Sequence, residues 1–444
     1  GSGIKFIVSE SINNFLKFTP LGTIIIGLAG VGLMIKTGLL KSICKRLNKI
    51  IPRKTMFFIF SLLCIIMGFS VDFSFVIMIP VAAILFTEYK RSQVVGMTMA
   101  FASVAAGANI NIFLTSIDYS LIELAKSSVN LVDSNYSYGY AGNLFFVVIS
   151  SLLLALVISI ITEIIARKKP VRIGTEELEI SEKLDKIGFK KSLLAFVIMC
   201  VLLAYAIIPG LPLSGFLLDS SQNMYINKLF GANSPFVKGF LYIASLIFII
   251  CAFIYGTATK QIKNGKDMIK HIQSSLNGLG EMLLLIFVAS QFIALFKYTN
   301  IGNVVTVNLF NLVADIKPSF IILLLLSFVV IAISNIFVPS LSTKWTLFVP
   351  KMMPLFMKSN ITPEFTGAMF RLASSVTNII SPIFSYFVVY LGFIGLYSKN
   401  DFTIRKCYKM LMPYFIAILI LWLFIVFGWY VLKAPIGPNV FPTI

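Results

Sequence analysis

The 444-residue sequence predicts an all-α polytopic membrane protein, an inverted-repeat secondary transporter with eight spans, two opposed re-entrant hairpins and two broken helices. Three observations lead there. Hydrophobic residues make up 58% of the chain and charged residues 12%, with a mean hydropathy of +0.93, which a water-exposed globular surface does not tolerate. The apolar residues fall in blocks of about 20, the length of a helix crossing about 30 Å of hydrocarbon, which excludes the short alternating strands of a β-barrel. Two long apolar blocks are interrupted near their middles by polar residues, and the helix after each carries a matching break.

In chain order, residues 1–18 form an amphipathic segment whose Gly1-Ser2-Gly3 reads as a vector-derived scar with no signal peptide behind it. Spans follow at about 19–40, 94–118, 140–166, 192–209, 238–258, 276–297, 363–393 and 410–432, with the interrupted blocks at about 55–88 and 318–357. If both blocks are hairpins, the loops 41–54, 88–93, 167–191, 259–275 and 394–409 share one face and hold 24 Lys and Arg, against 7 on the other. The positive-inside rule puts the basic set in the cytoplasm, so the first hairpin dips in from inside and the second from outside. The net charge of +19 therefore reports orientation in a bacterial cytoplasmic membrane, not a nucleic-acid partner.

That opposition is a symmetry. Aligning Pro80 with Pro350 sets Ser70-Val71-Asp72 against Ser340-Leu341-Ser342, and a nearly equal shift brings Phe101 to Phe370 and Asn109-Ile110 to Asn378-Ile379. The chain divides into a first repeat over 19–166, a connecting region with one span over 167–237, a second repeat over 238–432 and an extracytoplasmic tail over 433–444. Broken backbone at membrane depth must line a polar cavity. Half-helix N-termini there suit an anion, and freed carbonyls suit a cation.

Other chemistries find little support. The five cysteines form no C-x-x-C pair and read as free thiols, His271 sits alone in a basic amphipathic loop, and no nucleotide, metalloprotease or serine-hydrolase motif occurs. An enzyme is disfavoured because no base adjoins a nucleophile. No cofactor is implied beyond Na⁺ or H⁺ as coupling ion, and the remaining rival is an ion channel built on re-entrant loops.

The candidate residues sit at the breaks. Asp72, at the first hairpin tip, and Asp118, at the end of the first broken helix, are carboxylates at costly depth. Asp118 has the alternative of capping the helix that follows it. Lys344 and Arg371 are the bases of the second tip and second broken helix, suited to a substrate's anionic end. The alternative for Arg371 is internal pairing with Asp72 or a backbone carbonyl. Trp345 suits stacking on an aromatic ring or simple packing. Asn109, Asn111, Asn335, Ser374, Ser375, Thr377 and Asn378 offer neutral oxygens and amides, and Na⁺ is expected near Asn109, Asp72 and Asn378. Ser342 and Pro382 complete the expected substrate-binding set with Lys344, Trp345, Arg371, Asn109, Asn111 and Asp118.

From Phe18-Thr19-Pro20-Leu21-Gly22 onward the chain resembles the AbgT family of p-aminobenzoyl-glutamate transporters. The stretches Gly107-Ala108-Asn109-Ile110-Asn111, Ser340-Leu341-Ser342-Thr343-Lys344-Trp345 and Phe370-Arg371-Leu372-Ala373-Ser374-Ser375, with the tail Ala434-Pro435-Ile436-Gly437-Pro438, follow in family order. The resemblance implies a homodimer of protomers with nine spans, one more than counted here, the extra helix being expected ahead of Phe18. It also implies cation- or proton-coupled movement of p-aminobenzoyl-glutamate or p-aminobenzoate-like compounds, including sulfonamides. A dicarboxylate symporter of the wider superfamily is the alternative. Where the family pattern R-x-x-D-S places a carboxylate, this chain has Ser374.

Overall fold

The computed structural model describes residues 2–112, 116–168, 180–231, 233–314, 320–398 and 403–444, and no strand occurs among them. Lys169, Arg172, Lys317 and Lys399, counted above for orientation, lie outside the described residues. The first part runs α1 (Ser2–Leu16), α2 (Pro20–Thr37), α3 (Leu39–Ile50), α4 (Arg53–Ile66), α5 (Val71–Phe73), α6 (Ile79–Glu88), α7 (Gln93–Gly107), α8 (Ser116–Asn130) and α9 (Leu144–Lys168). The second runs α10 (Glu182–Ile207), α11 (Tyr225–Phe230), α12 (Pro235–Ala258), α13 (Gly265–Ser275), α14 (Leu279–Tyr298), α15 (Ile301–Ala314), α16 (Phe320–Phe337), α17 (Leu341–Lys358), α18 (Pro363–Val376), α19 (Ser385–Tyr397) and α20 (Ile404–Leu432).

Among the described residues seven stretches are long and apolar enough to cross a membrane: Ser2–Thr37, Val71–Glu88, Leu144–Lys168, Glu182–Ile207, Pro235–Ala258, Leu279–Tyr298 and Ile404–Leu432. This differs from the eight spans read from sequence for a physical reason. The blocks at 94–118 and 363–393 are divided by their breaks into α7 with α8 and α18 with α19, each part too short to cross alone, which leaves six, and the seventh, Val71–Glu88, is the second arm of the first interrupted block. The segments 119–139 and 298–317, read as loops, contain most of α8 and all of α15.

Both interrupted blocks are helix–break–helix units. The first breaks at Met67–Ser70 and its second arm starts at Val71, passing through a π-helical stretch, Ser74–Met78, before α6. The second breaks at Val338-Pro339-Ser340, where proline denies the helix a donor. Ser70 and Ser340, paired in the repeat alignment, both occupy the N-cap of the second arm, and the Ser340 hydroxyl accepts from Thr343 N at 3.3 Å. Asp72 thus lies in the arm's first turn, just past the tip.

The buried centre is α7 and α18. Every described residue of α18 is buried, and so is every residue of α7 except Val94. Helices α4, α6, α9, α19 and α20 pack around α7, and α16, α17 and α20 around α18, while α2, α10 and α12 form an outer group. The outer group depends on close approach. A Cβ on Gly30 of α2 would lie 2.9 Å from the Ser245 backbone of α12, whose hydroxyl donates to Ile26 O at 2.6 Å. Gly30→Leu is therefore expected to lower the unfolding midpoint of detergent-purified protein by the equivalent of about 1–3 kcal/mol, and Gly22→Leu, which meets open space, to leave it unchanged.

Candidate functional site

A helix that stops inside a membrane leaves last-turn carbonyls without donors. Here the polar residues of the breaks supply them. At the end of α7, Asn378 Nδ2 donates to Ala105 O at 3.0 Å and Arg371 Nε to Asn109 O at 2.6 Å, so the second broken helix caps the first. Ser151 Oγ of α9 donates to Ile110 O at 3.1 Å. The hairpins are treated alike. Asn111 Nδ2 donates to Ile66 O at 3.4 Å at the end of α4, while Thr377 and Ser381 hydroxyls donate to Ala332 O and Ile336 O of α16 at 2.7 and 2.8 Å.

The charged candidates are engaged inside this core. Arg371 Nη1 is ion-paired with Asp118 Oδ1, both side chains under one-tenth exposed. Arg371 therefore pairs internally, with Asp118 and not with Asp72, and joins α18 to α8. Lys344 is fully buried. Its ammonium donates to Asn335 Oδ1 and lies 5.9 Å from the Phe370 ring centre, with no carboxylate within 4 Å among the described residues. The Asn335 amide in turn donates to Thr377 Oγ1 at 3.0 Å and Asn378 Oδ1 at 2.8 Å. Trp345 is buried, its indole N–H donating to Leu121 O at 2.8 Å and its ring packed edge-on to Phe370 at 4.7 Å. Ser375 accepts from Trp422 Nε1 at 2.8 Å. Asn109 Nδ2 and Ser374 Oγ are buried without a hydrogen-bond partner. Ser342 and Pro382 are exposed.

A cavity of about 540 Å³ lies elsewhere, at the second hairpin tip and the second break. Its apolar wall is Phe296, Phe337, Phe384 and Tyr386, and its polar wall is Lys297, Asn300, Asn303, Ser340, Thr343 and Ser385. The N-termini of α17 and α19 both open onto it, at Ser340 and Ser385. Tyr386 ties the cavity to the other repeat: its ring stacks on Phe75 at 4.5 Å and its hydroxyl donates to Asp72 Oδ1. None of the residues singled out from sequence lines this cavity. Asn111, Arg371, Thr377 and Asn378 hold the breaks, Asp118 and Arg371 line a second, smaller pocket with Tyr138 and Tyr140, and Asp72 meets the wall of the first through Tyr386. Lys297, Asn300 and Asn303 escaped notice because they lie where α14 ends and α15 begins, a junction that reads as an ordinary loop. Their one signal was a Lys and two Asn, three residues apart, flanking an apolar block.

The AbgT putative transporter family matches residues 1–444. The chain belongs to this family. It is 26% identical over 449 residues to the p-aminobenzoyl-glutamate transport protein of Escherichia coli (strain K12), covering 100% of this chain and 86% of that protein. Among solved structures it is similar to the YdaH transporter of Alcanivorax borkumensis, with a TM-score of 0.55, 26% identity and coverage of 99% and 91% of the two chains. It is also similar to MtrF of Neisseria gonorrhoeae, described as illuminating a class of antimetabolite efflux pumps, with a TM-score of 0.52, 28% identity and coverage of 99% and 87%. The AbgT-family protein described here is thus a multi-pass membrane transporter.

In this AbgT-family chain, Arg371→Ala strands the buried Asp118 carboxylate and leaves Asn109 O without its donor. The expected result is a stability loss of about 3–5 kcal/mol, read as a lower unfolding midpoint in detergent. Arg371→Met with Asp118→Leu should recover most of it. A midpoint unchanged by Arg371→Ala would show that the pair does not hold the two broken helices together.

Proposed function

We propose that the protein moves an aromatic carboxylate of the p-aminobenzoyl-glutamate or p-aminobenzoate type, sulfonamides included, across a bacterial cytoplasmic membrane by alternating access. The observation that carries this reading is the two-sided cavity. Its aromatic wall of Phe296, Phe337, Phe384 and Tyr386 suits an aryl ring, and its volume of about 540 Å³ lies in the usual range of small-molecule sites. Its other wall combines Lys297, amide and hydroxyl donors and two helix N-termini, the positive ends of helix dipoles, which suit carboxylates. The curated relative's p-aminobenzoyl-glutamate fits both walls.

The driving force in this reading is Na⁺ or H⁺, taken up where the two repeats meet. Asp72 is linked to the cavity by Tyr386, and the Asn109 Nδ2 and Ser374 Oγ atoms, buried without a partner among the described residues, lie at the two breaks. Substrate entering against Tyr386 would disturb its bond to Asp72, which couples the aryl site of one repeat to the first hairpin of the other. The functional unit is a homodimer in the lipid bilayer.

Proteoliposomes containing the full chain test the reading. Labelled p-aminobenzoyl-glutamate should accumulate under an imposed Na⁺ or H⁺ gradient. Lys297→Gln should weaken its binding by about tenfold, in keeping with the loss of one charge-assisted hydrogen bond. Asp72→Asn should abolish gradient-driven accumulation while leaving substrate exchange. Competition by succinate in place of the aromatic compounds, or single-channel currents without counterflow, would overturn the proposal.

A further inference from the structure

On the basic face of the protein, three arginines from three separate segments converge on one carboxylate. Arg53 opens α4, Arg91 lies in the α6–α7 connection, and Arg167 closes α9. Arg53 Nη2, Arg91 Nη2 and Arg167 Nε lie 3.0, 3.8 and 3.1 Å from the same oxygen, Glu163 Oε1. Arg91 Nη1 also donates to Ala166 O at 3.3 Å. Among the described residues three guanidiniums face one carboxylate, an excess of two positive charges; Arg91 and Glu163 are only 16% and 13% exposed, while Arg53 and Arg167, at 40% and 63%, reach the surface where a headgroup can meet them. Among the described residues the Nε donors of Arg53 and Arg91 are buried with no acceptor, and Glu163 Oε2 is buried with no donor.

Directly beyond this cluster, toward the middle of the membrane, the surface is apolar. Leu152, Leu156, Ile160 and Ile164 of α9 are each 41–51% exposed, and their four-residue spacing puts them on one helix face. The neighbouring α4, which packs against α9, exposes Ile59 and Leu63 in the same spacing. From Leu152 to Ile164 the stripe runs about 18 Å at 1.5 Å per residue, a little more than half of about 30 Å of hydrocarbon and so about the depth of one leaflet.

We infer that the Arg53–Arg91–Arg167 cluster with the α4–α9 stripe is a binding site for one anionic glycerophospholipid of the cytoplasmic leaflet. The phosphodiester brings the missing negative charge, and its two free oxygens accept from guanidinium forks that a single shared carboxylate oxygen cannot satisfy. An acyl chain lies along the Leu152–Ile164 stripe. Because the three arginines come from the first hairpin's outer arm, the link into α7 and the α9 end, the bound headgroup joins the hairpin to the scaffold helix behind it.

Native mass spectrometry of the full chain in detergent tests this, with phosphatidylglycerol, phosphatidylcholine and inorganic phosphate as probes. Wild type should retain one phosphatidylglycerol at concentrations where phosphatidylcholine is lost. Arg91→Gln with Arg167→Gln should cut that preference by about fivefold per arginine removed. A control that removes equal charge from the same face, Lys263→Gln with Lys266→Gln, should keep it. Glu163→Gln, which removes the competing carboxylate and leaves every arginine in place, should strengthen retention and guards against misfolding of the arginine variants. Equal retention of the two lipids, an undiminished preference in the arginine variants, or displacement by inorganic phosphate at matched concentration would each overturn the inference.

Discussion

The structure depends on one constraint, that backbone carbonyls freed at membrane depth must find donors without water. The cost of leaving such a group unmet is large in a medium of low dielectric constant, so each break is viable only with a dedicated partner. The partners are side chains of the breaks themselves. Asn378 and Arg371 cap the end of α7, Asn111 caps α4, and Thr377 and Ser381 cap α16. Each repeat closes its own hairpin, and the second repeat closes the first repeat's broken helix.

This arrangement decides what the buried charges do. A guanidinium with five donors serves a carbonyl and a carboxylate together, and Arg371 does so with Asn109 O and Asp118. Lys344 has fewer geometric options and rests on the Asn335 amide, which also holds Thr377 and Asn378. These residues form the frame between hairpin and broken helix. The cavity then forms where the frame leaves off, at the second tip, with α14 and α15 supplying the side that the repeat motifs do not.

The contact of greatest mechanical interest is Tyr386. Its ring belongs to the cavity wall, while its hydroxyl and its stacking on Phe75 belong to the first hairpin. A single residue at the start of α19 thus belongs both to the cavity wall and to the packing of the first hairpin.

The sequence by itself determined the membrane class, the interrupted blocks and the repeat register, because hydrophobic length, loop charge and breaks by Pro, Ser and Asn are local properties of the chain. Ser70 and Ser340 fall at matching N-caps for that reason, and Asn109 and Asn378 at matching breaks. The tertiary structure alone decided which polar residues face a cavity and which satisfy backbone. Nothing local distinguishes Arg371, committed to Asp118 across 253 residues, from a base free to meet substrate. The three-residue spacing of Lys297, Asn300 and Asn303 marks a polar edge but not a cavity wall, since that role arises only when α14 is packed beside a hairpin tip some 40 residues away in sequence. Side-chain partners over such separations are fixed by packing, and packing is where the sequence reading ended.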